Sequence, residues 1–358
     1  MTGPRTAGAR RPLRIAQVAP PLERVPPIGY GGTERVVDAL VREFLARGHA
    51  VTTFASGDSA CEGELVATVP RALWPAGIRD DPTAWFMATL LDVRDRAADF
   101  DVVHCHLDVR GAGVADLLPV PVVHTFHGRL DGPGLERVLP RMHGRLVAIS
   151  GSQAASRPDT PWAAVVHNGL AFGPPPEADR GPDLAFVGRV DPAKGIVEAM
   201  EIAQRAGRRL RIAAKVGIRS WERAYDDEVF RPALRRAGGA VEYLGELTDP
   251  ERDRLLAESF ATVMPIAWPE PFGLAVIESL ACGTPVVASA LGALPEIVRD
   301  GVDGFLALGV DALAARVDDC DRLDRGAIAR DVRDRFSAAR MADGYEAVYR
   351  AAVGDPPA

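Results

Sequence analysis

The chain has 358 residues, 47% apolar and 25% charged, with a formal net charge of −7. That length suits two domains, each with its own core, and the acidic balance argues against nonspecific nucleic-acid binding. No run of about eighteen apolar residues occurs, so no membrane-spanning helix is expected, and the four cysteines (61, 105, 282, 320) show no Cys-x-x-Cys or metal spacing and read as free thiols of a reducing, cytoplasmic compartment.

Residues 1–11, MTGPRTAGARR, are basic and lack the apolar stretch of a signal peptide, so a disordered tail is expected. From there strand-like and helix-like runs alternate, the pattern of parallel sheets covered by helices. LRIAQVA (13–19) is the first strand. The loop PPLERVPPIGY then leads into YGGTERVV (30–37), where paired glycines admit a ligand close to the backbone and a helix mouth favours phosphate. The same residues also fit a tight turn without a ligand, and they do not form the G-x-G-x-x-G dinucleotide fingerprint. A helix follows over 33–48, with Val36, Val37, Leu40, Val41, Phe44 and Leu45 on one stripe, Thr33 as its N-cap and Gly48 as its stop. HAVTTFA, DVVHCH, PVVHTF, RLVAIS and AAVVHN continue the strand series. Asp99-Phe100-Asp101 imitates a metal-binding D-x-D, but its place at a helix-to-strand junction marks a turn. His104 and His106, then His124 and His127, end two of the strands without metal-ligand spacing. His106 is the better cleft candidate of the first pair. His127, just before Gly128 at the expected cleft edge, can hydrogen-bond a sugar hydroxyl or an acceptor; plain polar strand ends are the alternative. Ser150 and Ser152 can cap a short helix.

The stretch NGLAFGPPPEADRGPD (168–183) is rich in Gly and Pro and reads as a linker. Beyond it strands are expected at LAFVGR, LRIAAKV, VEYLGE, ATVMPI, TPVVAS and GFLA, and helices over 194–207, 221–237, 249–258, 273–282, 310–320 and 337–353. Two doubly wound domains facing a cleft follow, and such folds bind ligands at the C-terminal ends of their strands. FVGRVDPAKG puts Arg189 and Lys194 at one such end, where two cations can neutralise a diphosphate leaving group as its charge develops; a solvated turn is the alternative. The densest window is WPEPFGLAVIESLACGTPVV (268–287). Glu270 sits in a loop between two prolines, Phe272-Gly273-Leu274 opens an apolar helix, and Glu278 follows eight residues after Glu270. The helix mouth suits anionic oxygens, Glu278 can accept hydrogen bonds from a ribose diol, and Glu270 can face a sugar. Two chance glutamates on a strand–helix–strand unit would look the same. Glu296 in ALPEIV fits a helix-capping carboxylate.

EPFGLAVIE resembles the E-(seven residues)-E motif of the retaining glycosyltransferases of family 4, and the resemblance runs from about Leu13 to the last helix. YGGTERVV is similar to that family's glycine loop, the Arg189–Lys194 segment to its pyrophosphate grip, His127 to its sugar-contacting histidine, Asn168-Gly169 to its hinge turn and ALPEIV to its A-x-P-E motif. Lys215 departs from the pattern, which usually has a small residue there. The resemblance implies a GT-B fold of two Rossmann-like domains: an N-terminal acceptor-side domain of 12–168 and 337–358, a linker over 169–182, and a C-terminal nucleotide-sugar-binding domain over 183–336, with the last helix crossing back. It implies retaining, metal-independent, cofactor-free transfer of a sugar from a nucleotide-diphosphate donor, a UDP- or GDP-sugar, to an acceptor hydroxyl. His127, Glu270, Arg189 and Lys194 would be catalytic, while Gly31, Gly32, Arg189, Lys194, Phe272, Gly273, Leu274 and Glu278 would hold the donor. No carboxylate nucleophile stands out on the first-domain side, so front-face attack assisted by the leaving phosphate is expected. No motif names the acceptor in 58–83 or 108–143, and without a polybasic cluster a soluble acceptor is favoured over a lipid-linked one. An epimerase of the same fold and an inactive sugar-nucleotide-binding protein are the alternatives. Chain length disfavours a glycan phosphorylase, and the missing glycine fingerprint disfavours a nicotinamide dehydrogenase.

Overall fold

The computed structural model describes residues 11–29, 31–78 and 81–355, so Tyr30 and most of the expected tail lie outside the described residues. Seven strands, β1 (Arg14–Val18), β2 (Ala50–Ser56), β3 (Glu64–Val69), β4 (Val102–Cys105), β5 (Val122–Phe126), β6 (Arg145–Ala148) and β7 (Trp162–Val165), form one sheet in the order β3-β2-β1-β4-β5-β6-β7. Six more, β8 (Leu184–Val190), β9 (Leu210–Val216), β10 (Val241–Gly245), β11 (Ala261–Met264), β12 (Val286–Ser289) and β13 (Gly304–Ala307), form a second in the order β10-β9-β8-β11-β12-β13. The pairings are parallel in both. Runs such as VVHC in β4 and VVAS in β12 are buried at every residue, as strands covered by helices on both faces must be. Each sheet reverses its winding at the equivalent place, between β1 and β4 and between β8 and β11. Loops leave in opposite directions there, opening a crevice at the strand C-termini.

Strand β3 and the helices Thr83–Arg96 and Arg325–Arg335 are absent from the sequence expectation. Their signals are thin: β3 is a half-exposed edge, and the two helices bury only Phe86, Thr89 and Val93, and Ile328, Ala329 and Val332. The helix expected over 221–237 carries a π-turn at Asp226–Phe230. Thr33 is not an N-cap. The first long helix spans Gly32–Ala46 with Gly31 at the cap position, so Thr33 already lies in its first turn.

The last helix, Ala338–Ala352, is capped by Ser337 Oγ and packs its Met341, Ala342, Tyr345 and Tyr349 against Val37, Leu40 and Phe44 of the helix Gly32–Ala46. The C-terminus therefore completes the core of the first sheet; emptying it at Phe44 by an alanine would cost about 3–5 kcal/mol. The outgoing and returning chain segments lie against one another. Leu170 N donates to Phe336 O (2.9 Å) and Ala338 N to Leu170 O (3.0 Å). A Cβ on Gly169 would sit 2.2 Å from Ser337 O, so the approach needs glycine. A second tie joins the domains. Glu296 accepts from Gly151 N (2.9 Å) and Ser152 N (2.6 Å) and meets His167 Nε2 (2.9 Å), so it caps a helix of the opposite domain. Ser150 Oγ caps the same helix. No helix among the described residues is long and apolar enough to cross a membrane.

Candidate active site

A cavity of about 460 Å³ lies between the C-terminal edges of the two sheets, within the range that encloses a small-molecule ligand. Gly31, Gly32 and His127 line it from the first domain, and Arg189, Lys194, Glu270, Phe272, Gly273, Leu274 and Glu278 from the second.

The second-domain side is charged. Arg189, at the end of β8, donates to Glu222 Oε1 (2.9 Å) and pairs with Asp191 Oδ2 (3.0 Å). Asp191 also accepts from Ala193 N, which turns the chain so that Lys194 enters the cleft. Lys194 Nζ donates to both carboxylate oxygens of Glu270, at 2.9 and 2.7 Å. Behind them Glu278 faces Arg252 at 3.1 Å. Burial raises the Glu278 carboxyl above the usual carboxylate range, opposed by Arg252 and Arg35. Burial works against the Arg252 cation too, but Glu278, Asp253 and Asp249 outweigh it and hold the guanidinium above its ordinary value. The cations thus stand in the cleft already matched by carboxylates.

Between these pairs the helix Leu274–Ala281 opens toward the cavity. Its cap residue, Gly273, has φ 106°, and a Cβ there would meet Leu294 Cδ2 at 2.9 Å, so a side chain is excluded by both conformation and space. Its glycine cap gives this mouth no side-chain hydrogen bond. Gly32 of the other domain rests against it: a Cβ on Gly32 would come 3.1 Å from Leu274 Cδ1. Gly31 is packed more closely, with Pro27 Cβ 2.6 Å from the place a Cβ would occupy.

Around His127 the first-domain side is built from neutral imidazoles, while Glu23, Glu34, Arg35, Asp108 and Arg110 line other parts of the cavity from the same domain. His127 Nε2 lies 2.9 Å from His106 Nδ1, and burial lowers the His127 imidazole to about 4. His104 is fully buried behind them, and His124 is buried away from the cavity with neither ring nitrogen partnered among the described residues. Asp108 adds a carboxylate to this side that the sequence reading did not single out. It follows β4 at φ 51°, lines the cavity, and accepts a hydrogen bond from His127 N through Oδ1 (2.8 Å). Burial raises its carboxyl, against the pull of the His127 and Gly128 amides. Nothing local in VVHCHLD announces this role, because the amides it holds belong to the next strand's end. Lys215 bridges the cleft, with Nζ 3.1 Å from Glu23 Oε1 of the first domain and 3.6 Å from Glu246 Oε1 of the second. Burial pulls its ammonium down, but the two glutamates prevail and hold it above the usual lysine range.

Residues 30–169 match the family model described as Glycosyltransferase Family 4, and residues 171–322 match Glycosyl transferases group 1. The chain is 32% identical to the D-inositol 3-phosphate glycosyltransferase of Mycobacterium leprae (strain Br4923) over 72% of this chain and 70% of that protein. The same identity to the enzyme of that name from Mycobacterium marinum spans 72% of this chain and only 64% of the relative. A Mycobacterium tuberculosis glycogen synthase (strain H37Rv) is 28% identical over 78% of this chain and 79% of its own. Among solved structures, AviGT4, a glycosyltransferase involved in avilamycin A biosynthesis, superposes with a TM-score of 0.74 at 27% identity, covering 96% of this chain and 98% of that one. Anabaena HepE in complex with UDP-glucose shares the fold, with a TM-score of 0.71 at 17% identity over 92% of this chain and 97% of its own. Two matches that meet between residues 169 and 171, one on each sheet, together with relatives whose length this chain largely covers, place it in the family 4 glycosyltransferases of the two-domain α/β fold.

Proposed function

We propose that the chain transfers a sugar from a nucleotide-diphosphate donor, a UDP- or GDP-sugar, to the hydroxyl of a soluble acceptor, with retention at the anomeric carbon. The observation that carries this reading is one cavity in which the ion-paired Arg189, Lys194 and Glu270 and the mouth of the helix Leu274–Ala281 face the buried imidazole of His127. Arg189 and Lys194 hold the diphosphate, exchanging carboxylate partners for phosphate oxygens as the donor arrives. Their positive charge then stabilises the leaving group as the glycosidic bond breaks, which serves the purpose a divalent metal serves elsewhere. The amides at Gly273 and Leu274, next to Phe272, meet anionic oxygens at the helix mouth. Glu278 accepts from the ribose hydroxyls, while Glu270 and His127 orient the transferred sugar. Gly31 and Gly32 let the first domain close on it.

Asp108 joins the sugar-facing set. Its Oδ1 is engaged by the His127 amide, which suits an orienting carboxylate better than an attacking one and supports front-face attack assisted by the leaving phosphate. The junction of the two family matches supports a linker over 169–182 between a domain of 12–168 with 337–358 and one of 183–336. The free Cys61, Cys105, Cys282 and Cys320 support a cytoplasmic setting. A screen of UDP-, GDP-, ADP- and TDP-sugars by thermal stabilisation and hydrolysis, with NMR of the product's anomeric configuration, tests the reading. A stabilising donor and a product of retained configuration are expected; an inverted product, or no stabilisation by any donor, overturns it.

A further inference from the structure

Behind His127 a chain of hydrogen bonds runs through the first domain to the returning C-terminal helix. Its members are Gln17 of β1, His104 and His106 at β4, Thr125 of β5, and Tyr345 and Tyr349 of the last helix, each 0–1% exposed. Buried this deeply, polar groups find their partners in one another, and each donor fixes the role of the next. The Gln17 amide sets the direction. Its Nε2 donates to Tyr349 Oη (3.1 Å), so its Oε1 accepts from His106 Nε2 (2.8 Å). A neutral imidazole carries one N–H. His106 Nδ1 is therefore an acceptor, and His127 Nε2, 2.9 Å away, is the donor that meets it. The proton of His127 is then on Nε2, and its Nδ1 is left as a bare acceptor on a residue that lines the cavity. In the other direction Tyr349 Oη donates to His104 Nδ1 (2.6 Å), His104 Nε2 to Thr125 Oγ1 (2.7 Å), and Thr125 Oγ1 to Tyr345 Oη (2.9 Å). The Gln17 amide is the switch of the chain: turned over, it would reverse every bond, with Tyr345 donating to Thr125 and His127 carrying its proton on Nδ1.

We propose that Gln17, His106 and Tyr349 are positioning residues that hold His127 as its Nε2–H tautomer, so that Nδ1 accepts a hydrogen bond from a hydroxyl of the transferred sugar. The helix that crosses back from the second domain thereby helps to set the geometry of the cleft. The sugar as the partner rests on the function proposed above; the tautomer does not. A network that merely satisfied buried polar groups would influence folding and leave the cavity face of His127 indifferent to Gln17.

Three variants separate the cases. Tyr349→Phe keeps the ring packed against Phe44 and removes only the hydroxyl. Gln17→Leu removes the amide, and Gln17→Glu keeps an acceptor facing His106. Tyr349→Phe and Gln17→Leu are expected to lower kcat about 10-fold while the donor KM and the affinity for the free nucleoside diphosphate change less than twofold; Gln17→Glu recovers most of the rate. Imidazole ¹⁵N NMR, assigned with a His127→Gln variant, should show a single Nε2–H tautomer for His127 in the parent and a mixture in Gln17→Leu. If Gln17→Leu does not fold, Tyr349→Phe decides. A parent spectrum with the proton on Nδ1, an unchanged kcat in both variants, or a rise in KM with kcat intact overturns the proposal. Should the parent neither bind nor transfer from any donor, the function fails, and the ring spectra still decide the tautomer.

Discussion

The two sides of the cleft handle buried polar groups in opposite ways. The second-domain side uses ion pairs, Arg189 with Glu222 and Asp191, Lys194 with Glu270, Arg252 with Glu278. Around His127 the first-domain side uses neutral hydrogen bonds, which run through His106 and Gln17 to Tyr349. Ion pairs are costly to desolvate and add little to stability by themselves, so their concentration on one side points to chemistry in which charge appears. Neutral chains in a dry interior strengthen one another and fix orientation without adding a field. The contrast teaches that the ion pairs hold charge in the cleft while the imidazole chain fixes an orientation.

The largest expected effect tests the charged side. Arg189→Ala and Lys194→Ala should each lower turnover by about 100-fold or more, as at other preorganised electrostatic sites, and should weaken nucleoside diphosphate binding by calorimetry. Unchanged affinity and rate in both would remove the contrast altogether. A smaller effect divides the charged side itself. Glu278→Ala should reduce nucleoside diphosphate affinity by roughly 1.5–3 kcal/mol, the worth of lost charged hydrogen bonds. Glu270→Ala should leave that affinity nearly intact and slow sugar transfer. The reverse pattern in the two assays would exchange the roles of the two glutamates.

The neutral side has a pH dependence of predictable sign. Burial lowers His124 and His127 to about 4 and holds His104 and His106 well below 6.5. The unfolded chain takes up protons on these rings as pH falls through about 6.5, and the folded chain does not until about 4. Stability is therefore fully present above pH 6.5 and declines across that window as pH falls. Glu34 works the other way, since burial raises it to about 7 from 4.5 and the folded chain holds that proton more tightly. Denaturant titrations at about pH 7.5, about pH 6 and about pH 5 should show a falling midpoint, and Glu34→Gln should steepen the fall. A midpoint that rises toward pH 5 would mean the histidines do not stay neutral. The smallest expected effect is none: turnover should survive EDTA because Arg189 and Lys194 supply the neutralising charge. Complete loss reversed by Mg²⁺ would show the charged side to be incomplete without a metal.

Much of the fold was legible because its signals are local. Buried strands such as β4, β8 and β12 are short apolar runs between helices with periodic stripes, and the Gly- and Pro-rich stretch after Asn168 carries no such period. Strand β3 and the helix Thr83–Arg96 escaped because each buries so few side chains that no period stands out. The Thr33 error has a local cause as well: a capping residue type stood next to two glycines, and the helix began at the glycines.

By itself the sequence determined the two-domain alternation and the placing of Arg189, Lys194 and Glu270 after strands and of Glu278 in the helix that follows, because strand–loop–helix order puts them there whatever they touch. Tertiary structure alone decided their partners. Lys194 meets Glu270 across 76 residues and Gln17 meets Tyr349 across 332. Asp108 finds the amide of His127, and Glu296 caps a helix of the other domain. Hydrogen bonds and ion pairs depend on coincidences of a few tenths of an ångström between segments far apart in the chain, and only the packing of two sheets and a returning helix brings those segments together.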